Sequence, residues 1–378
     1  MKVIVLVTHL LGTGHLMRAA TLARAFGAAG HDAQVVSGGM PVPHLNVDGF
    51  TLTQLPPLRS DGTDFTTLLD AKNCVVTDAM RAERIDMLVS IIRSEAPDVL
   101  ITELFPFGRR NLRTEFKAAL EAAKALPNPP VILSSVRDIL APPSKQAKAD
   151  FADDMIEAYY DSVLVHSDEA VVPLSLSWPI SPTLAEKLRY TGFVAPPSIT
   201  PHTEAFGIGE ILVSAGGGLV GERVFDAVLA FAEGNRHTFR LLIGGDDARR
   251  AALRERAPSN MIIDAPRPEF RSMLPHAVAT ISMCGYNTAL DILQSGVRAV
   301  IVPFDDGGEV EQSIRAQALG QIDGIEVIAT NQLSNDTLHT ALTAALNAPK
   351  RDPQTAGMQG SAHSVEIAKS ILDQKVSA

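Results

Sequence analysis

The chain has 378 residues, 46% hydrophobic and 20% charged, enough apolar material for about two folded domains. With 43 Asp+Glu against 33 Lys+Arg the net charge is −10, which excludes a globally basic nucleic-acid binder. Two well-separated cysteines, Cys74 and Cys284, exclude a disulfide scaffold or a cysteine-rich structural zinc site.

The first apolar run, residues 3–7, is short and β-branched and reads as a central parallel strand. It is too short for a signal peptide and runs straight into a glycine loop, and no run reaches the ~20 apolar residues of a spanning helix, so a cytoplasmic location is expected. Thr8-His9-Leu10-Leu11-Gly12-Thr13-Gly14-His15 follows, then a helix to about Gly27 and a strand over 33–37. Strand, glycine loop, helix and strand open a doubly wound α/β domain. Gly12-x-Gly14 lacks the third glycine of a dinucleotide fingerprint. Residues 38–77, with Pro41, Pro43, Pro56 and Pro57, read as loops holding one short strand over 50–55.

A helix over 79–94 leads to a strand over 98–102, which ends in Glu103-Leu104-Phe105-Pro106-Phe107-Gly108-Arg109-Arg110. Ligands of open α/β sheets bind at the carboxyl ends of parallel strands, so this loop is expected to share a cleft with His15. Exposed phenylalanines beside arginines there would suit a lipid-linked or phosphorylated acceptor; a packed loop with a solvated basic helix face is the plain alternative. A strand over 131–133 ending near Arg137-Asp138, a helix over 145–160 and a strand over 162–166 complete the half. Pro196, Pro197 and Pro201 mark a linker.

The second half restarts the alternation. Strands are expected over 211–213, 239–243, 261–263, 278–281 and 299–302, and helices over 221–232, 269–275, 287–295, 311–319, 333–347 and 364–373. Gly216-Gly217-Gly218 follows the first of these strands, and Gly285-Tyr286-Asn287-Thr288-Ala289-Leu290-Asp291 follows the fourth. A strand, a glycine turn and a helix N-terminus form an anion site, because free N–H groups and the positive dipole end converge there. Asn287 is a suitable cap, and Asp291 one turn on could accept from ribose hydroxyls. The expected fold is therefore α/β, with two doubly wound Rossmann-like domains facing a cleft. The divisions are an N-terminal domain over 1–197, a C-terminal domain over 205–360, and a helix over 361–378 able to pack back on the first domain.

The His15 loop, the Gly216–Gly218 loop, Gly285-x-x-Thr288-x-x-x-Asp291, Val302-Pro303-Phe304 and Glu311-Gln312 together resemble the GT-B-fold glycosyltransferases. Within them the chain is similar to the MurG-like peptidoglycan N-acetylglucosaminyltransferases and allied predicted glycosyltransferases. The resemblance implies an α/β GT-B fold and transfer of a sugar, with inversion, from a nucleotide-sugar donor such as a UDP-sugar. The acceptor would be a hydroxyl of a saccharide or lipid-linked molecule in envelope or exopolysaccharide synthesis.

It also implies roles. Gly216, Gly217, Gly218, Gly285, Tyr286, Asn287 and Thr288 would lie against the donor, Asp291 would replace the usual glutamate at the ribose, and Glu311-Gln312 would stand for a paired glutamine at the donor sugar. His15 would be the base, with Gly12, Thr13, Gly14, Phe107, Arg109, Arg110 and Arg137 on the acceptor side. The usual Gly-Asn-Pro-Val-Arg stretch is replaced by Gly192-Phe193-Val194-Ala195-Pro196. That change and the Phe105–Arg110 loop imply an acceptor other than the peptidoglycan precursor. The family needs no metal or cofactor, and peripheral contact with the inner membrane face is compatible with it.

An imidazole that titrates near neutrality can take a hydroxyl proton; a helix-capping histidine is the plain alternative for His15. His9 competes on the same loop. Glu103 is the second candidate base, or else a carboxylate paired with Arg109 or Arg137. Arg137 and Asp138 are candidate acceptor contacts or a mutual ion pair. The adjacent pairs Asp153-Asp154, Asp246-Asp247 and Asp305-Asp306 do not suggest a metal, since neighbouring side chains rarely converge. Two other functions remain: a UDP-sugar 2-epimerase using Glu103, Asp138 and Glu311 as acid/base groups, and a non-catalytic two-lobed binding protein.

Overall fold

The computed structural model describes every residue except 44, 62–63, 216–220, 306–309 and 378, and for 64–66 the backbone alone. The chain divides into two units, Met1–Pro196 with Gly357–Ala378, and Pro197–Ala356.

The first unit is built on β1 (Lys2–Val7), β2 (Asp32–Gly39), β3 (Thr51–Asp61), β4 (Asp64–Leu69), β5 (Val99–Glu103), β6 (Val131–Arg137), β7 (Ser162–His166) and β8 (Leu188–Tyr190). Their order in the sheet is β4-β3-β2-β1-β5-β6-β7-β8, and every pairing is parallel except β3 with β4. Val3 to Val7 are fully buried, as expected of a central strand covered on both faces. Helix α1 (Gly14–Ala28) packs Leu16, Ala19, Ala23 and Phe26 into the core at helical spacing. Next come α2 (Asp78–Glu95), α3 (Arg113–Lys124), α4 (Gln146–Tyr159) and α5 (Pro182–Lys187). Thr77 caps α2, accepting from the Met80 amide at 3.2 Å.

The second unit has β9 (Glu210–Ser214), β10 (Thr238–Leu242), β11 (Met261–Asp264), β12 (Ala279–Ser282), β13 (Ala299–Ile301) and β14 (Ile325–Val327). All its pairings are parallel, in the order β11-β10-β9-β12-β13-β14. Its helices are α6 (Glu222–Ala232), α7 (Asp247–Arg256), α8 (Phe270–Met273), α9 (Tyr286–Ser295), α10 (Glu311–Leu319) and α11 (Asn335–Asn347). The last helix, α12 (Gly360–Ser377), belongs to the first unit: Val365 and Ala368 share a core cluster with Leu16, Ala19 and Phe26. The His363 ring donates from Nδ1 to the Thr191 carbonyl at 2.8 Å, and Lys375 Nζ donates to that of Pro130 at 2.9 Å.

Each unit has a point where its strand order reverses, between β1 and β5 in the first and between β9 and β12 in the second. Connections there leave in opposite directions and open a crevice at the carboxyl ends of the strands.

Several elements differ from expectation. Residues 51–61 and 64–69 form an antiparallel pair, where loops and one short strand were expected. The pairing of β2 with β3 jumps from Ser37↔Gln54 to Gly39↔Leu58, so Pro56 and Pro57 fall in a bulge where no ladder N–H is needed. Gln54 Nε2 bridges that bulge, donating to the carbonyls of Ser37 at 2.9 Å and Gly39 at 2.8 Å. Strands β8 and β14 and helix α7 were not foreseen. Helix α7 buries only Arg250 and Leu253, too little for a periodic signal. Among the described residues no helix is long and apolar enough to cross a membrane.

Candidate active site and donor site

The crevice between β1 and β5 gathers the titratable groups of the first unit. Glu103 is the last residue of β5, and His15 is the second residue of α1, which follows the β1 loop. His15 Nδ1 lies 2.9 Å from Glu103 Oε1. An ionised carboxylate can only accept, so Nδ1 carries the proton and Nε2 is left as the acceptor. Arg18 Nη2 is 3.1 Å from the same Nδ1, but two donors cannot bond each other, and that approach is charge proximity alone.

Arg18, one turn along α1, grips both oxygens of Glu103: Nη2 on Oε1 and Nε on Oε2, the latter at 3.4 Å. Ser135 Oγ donates to Oε2 at 2.8 Å. Four donors thus fill the carboxylate, whose side chain is 1% exposed, while that of His15 keeps 16%. Burial alone would raise the Glu103 carboxyl, but the Arg18 charge and the His15 hydrogen bond outweigh it and hold the group well below the usual carboxylate range. Burial lowers His15 to about 3, with Arg109 pressing the same way and Glu103 opposing. At neutral pH this imidazole is a free base held by an ionised carboxylate, the arrangement that lets histidine take a proton at its far nitrogen.

Beyond Glu103 the polar chain continues inward. Ser135 Oγ is 2.9 Å from His166 Nε2, and His166 Nδ1 is 2.9 Å from Thr191 Oγ1. His166 is fully buried, and its pKa falls to about 3 through burial and then the Arg18 charge. An acid sensitivity follows. The unfolded chain protonates both imidazoles near 6.5, the folded chain only near 3, so between those values the unfolded state binds more protons. Unfolding free energy should be level above pH ~7 and fall below ~6.5 by up to ~1.4 kcal/mol per pH unit for each imidazole. Urea titrations between pH 4.5 and 8 test this, and His166→Gln should flatten the slope.

The loop after β5 corrects one expectation. Phe105 and Phe107 are buried. Phe105 stacks on Phe116 at 4.6 Å, and Phe107 meets Trp178 edge-on at 5.1 Å, so neither phenylalanine presents an apolar face to an acceptor. Apolar rings next to arginine are ambiguous in sequence, and here the core has taken the rings. Arg109, with φ of 60°, donates from Nε to the Thr8 carbonyl at 2.6 Å. Arg110 Nη1 donates to that of Phe107 at 2.6 Å. Arg137, at the end of β6, is half-buried, and Asp138 is buried with Oδ1 accepting from the Ile139 amide at 2.8 Å. Gly12, Thr13 and Gly14 form the exposed loop into α1, whose N-terminus has no side-chain cap.

In the second unit the crevice between β9 and β12 lies at the entry to α9. Gly216, Gly217 and Gly218 lie outside the described residues. Helix α9 starts at Tyr286 with Gly285 as its cap residue, so Asn287 is not the cap: it is exposed in the first turn. Among the described residues no side chain caps α9, and none comes nearer to a Cβ placed at Gly285 than Thr288 Oγ1 at 4.0 Å. A helix start without a side-chain cap suits an anion. Gly296 closes α9 with φ of 66°. Tyr286 is buried, with the Arg315 guanidinium 5.9 Å from its ring centroid.

The first turns of α10 brace this entry. Gln312 Oε1 accepts from the amides of Cys284 at 2.8 Å and Phe304 at 3.2 Å, and Arg315 Nη1 donates to the Cys284 carbonyl at 2.9 Å. Glu311 is buried beside them. Asp291, also buried, accepts at Oδ1 from Arg271 Nε at 2.7 Å; Arg271 donates further to Gln294 Oε1 at 2.6 Å and the Pro197 carbonyl at 3.0 Å. Burial raises the Asp291 carboxyl and Arg271 opposes it. Asp246 caps α7, accepting from the Arg249 amide at 2.9 Å, and Asp153-Asp154 lie within α4. Asp306 lies outside the described residues. No group of three or more His, Cys, Asp or Glu is placed to hold a metal among the described residues.

Sequence reasoning missed Arg18, Ser135, His166, Thr191, Arg271 and Arg315. Arg18 and Arg315 carried a signal, standing one turn from His15 and Gln312 on their helices. The others come from separate strands and loops.

Residues 241–373 match the model of the glycosyltransferase family 28 C-terminal domain. Over 167 residues the chain is 30% identical to the UDP-N-acetylglucosamine--N-acetylmuramyl-(pentapeptide) pyrophosphoryl-undecaprenol N-acetylglucosamine transferase of Brucella anthropi. That match spans 42% of this chain and 44% of the relative, less than half its length. Among solved structures, the calicheamicin glycosyltransferase CalG4 is similar with a TM-score of 0.63 at 16% identity, covering 98% of this chain and 97% of that one. The UDP-GlcNAc 2-epimerase of Methanocaldococcus jannaschii is similar with a TM-score of 0.57 at 11% identity, covering 98% and 100%. The chain therefore has the GT-B fold, and its residues 241–373 are similar to the glycosyltransferase family 28 C-terminal domain.

Proposed function

We propose that this protein is a glycosyltransferase that moves a sugar from a UDP-sugar to a hydroxyl of a saccharide or lipid-linked acceptor, with inversion at the anomeric carbon. The observation that carries the reading is the 2.9 Å bond from His15 Nδ1 to the saturated Glu103 carboxylate, which leaves Nε2 free to take a proton. The acceptor O–H proton passes to Nε2 as its oxygen bonds to the anomeric carbon, and the bond from that carbon to the diphosphate oxygen breaks. Negative charge then develops on the diphosphate, where the backbone N–H groups of Gly285, Asn287 and Thr288 stabilise it without a metal ion. Gly216, Gly217 and Gly218 share that task. Asp291 accepts from the ribose through the oxygen not committed to Arg271, and Glu311 and Gln312 contact the donor sugar. Arg109, Arg110 and Arg137 with Gly12 to Gly14 receive the acceptor. An undecaprenol-linked acceptor, named for the Brucella relative, would place the chain at the cytoplasmic face of the membrane.

The geometry weighs against epimerisation. That reaction needs carboxyl groups free to exchange protons with the sugar, and Glu103 and Asp138 are both buried. Glu103 has every acceptor site filled, so it orients His15 and does not replace it.

Thermal melts with UDP, TDP, GDP and their sugar conjugates test the donor. Ligand at about 100 times its dissociation constant adds ~2.7 kcal/mol of stability, and UDP or a UDP-sugar should give the largest rise. A flat response to every nucleotide would sink the donor assignment. Transfer should also persist in EDTA.

A further inference from the structure

The ionised carboxylate of Glu103 fixes the proton positions of the groups next to it. The Glu103 carboxylate only accepts, so the Ser135 hydroxyl spends its single proton on Oε2, at 2.8 Å. Ser135 Oγ can then only accept from His166, whose Nε2 at 2.9 Å must carry the proton. The neutral ring is left with Nδ1 as acceptor beside Thr191 Oγ1 at 2.9 Å, whose single proton is also within reach of the Gly192 carbonyl at 2.7 Å and the Val165 carbonyl at 3.3 Å. From His166 through Ser135 the bonds point toward Glu103, and aligned bonds of this kind polarise one another.

Register explains the alignment. Glu103 pairs with Ser135 across β5 and β6, so both side chains leave the sheet on one face. Ser135 pairs with Leu164 across β6 and β7, which puts His166 on that face two residues further on. Ser135 and His166 are both fully buried. A purely apolar core would have served packing better at these sites.

We propose that Ser135 and His166 are positioning residues for the base: they hold Glu103 so that its other oxygen locks His15 in the tautomer with the proton on Nδ1. The proposal rests on His15 being the base. Loss of a hydrogen bond to a charged group is expected to lower kcat about 10-fold, with the donor KM within twofold of wild type. Ser135→Ala and His166→Phe should both show this. His166→Gln, whose amide can still donate to Ser135, should recover most of the rate.

The deciding measurement is independent of turnover. In full-length protein with 15N-labelled histidine, the His15 ring should show Nδ1–H in wild type and a mixture of tautomers in Ser135→Ala and His166→Phe, with the far-ultraviolet spectrum confirming a native fold. A His15 tautomer and kcat unchanged in both folded variants would overturn the proposal. So would an equal loss in His166→Gln and His166→Phe. If His15→Ala left transfer intact the base assignment would fall, whereas the ring spectra would still report whether Ser135 and His166 hold His15.

Discussion

His15→Ala should reduce the transfer rate by about 10²- to 10⁴-fold, the usual contribution of a positioned general base. The loss should fall on kcat, while the nucleotide-induced rise in melting temperature stays, because α9 and its entry belong to the other unit. Glu103→Gln should cost a comparable factor, since an amide can turn a donor toward Nδ1 and present the wrong tautomer. The two residues act as one device, so the double variant should lose little more than either single one. Single-turnover assays with radiolabelled UDP-sugar measure this directly. Unchanged turnover in His15→Ala would move the proton acceptor elsewhere, and the buried, saturated Glu103 is not available to take its place.

Arg84→Met should destabilise the first unit by about 3–5 kcal/mol, the cost of leaving a buried charge without its partner. Arg84 on α2 is fully buried and meets Glu115 of α3 in a two-pronged pair, Nε to Oε2 at 2.8 Å and Nη2 to Oε1 at 2.7 Å. Its remaining nitrogen donates to the Gly38 carbonyl at 3.2 Å and to that of Pro56, tying the end of β2 and the bulge of β3 to the helices. Loss of the guanidinium would therefore strand a carboxylate and two carbonyls at once. Arg84→Met combined with Glu115→Leu should regain most of the loss, because an apolar pair removes the unpaired charge as well. Urea unfolding followed by far-ultraviolet circular dichroism checks both variants. A cost below ~1 kcal/mol for Arg84→Met would show that water reaches the pair.

These two expectations differ in how much of them the amino-acid order discloses. His15 could be singled out as a base because the glycine loop it ends resembles that of the GT-B glycosyltransferases, a motif of adjacent residues. Arg84 and Glu115 lie 31 positions apart on two helices whose periodicity marks neither as buried. The same division explains the misreadings. Phe105 and Phe107 looked exposed because nothing local shows that Phe116 and Trp178 cover them. Residues 56–69 looked like loop because two prolines open them, and only the β2 register shows that these occupy a bulge.

Sequence alone determined the alternation of buried strands and helices and the strand, glycine turn and helix start at His15 and at Gly285. All of these depend on neighbours within a few residues, through side-chain periodicity, turn chemistry and helix ends. Tertiary structure alone decided what surrounds His15. Glu103 comes from 88 positions away, Ser135 and His166 from two further strands, and parallel register puts three of these side chains on one face. Their burial then sets which groups are charged and where each proton sits, because desolvation and hydrogen-bond saturation act through space and not along the chain.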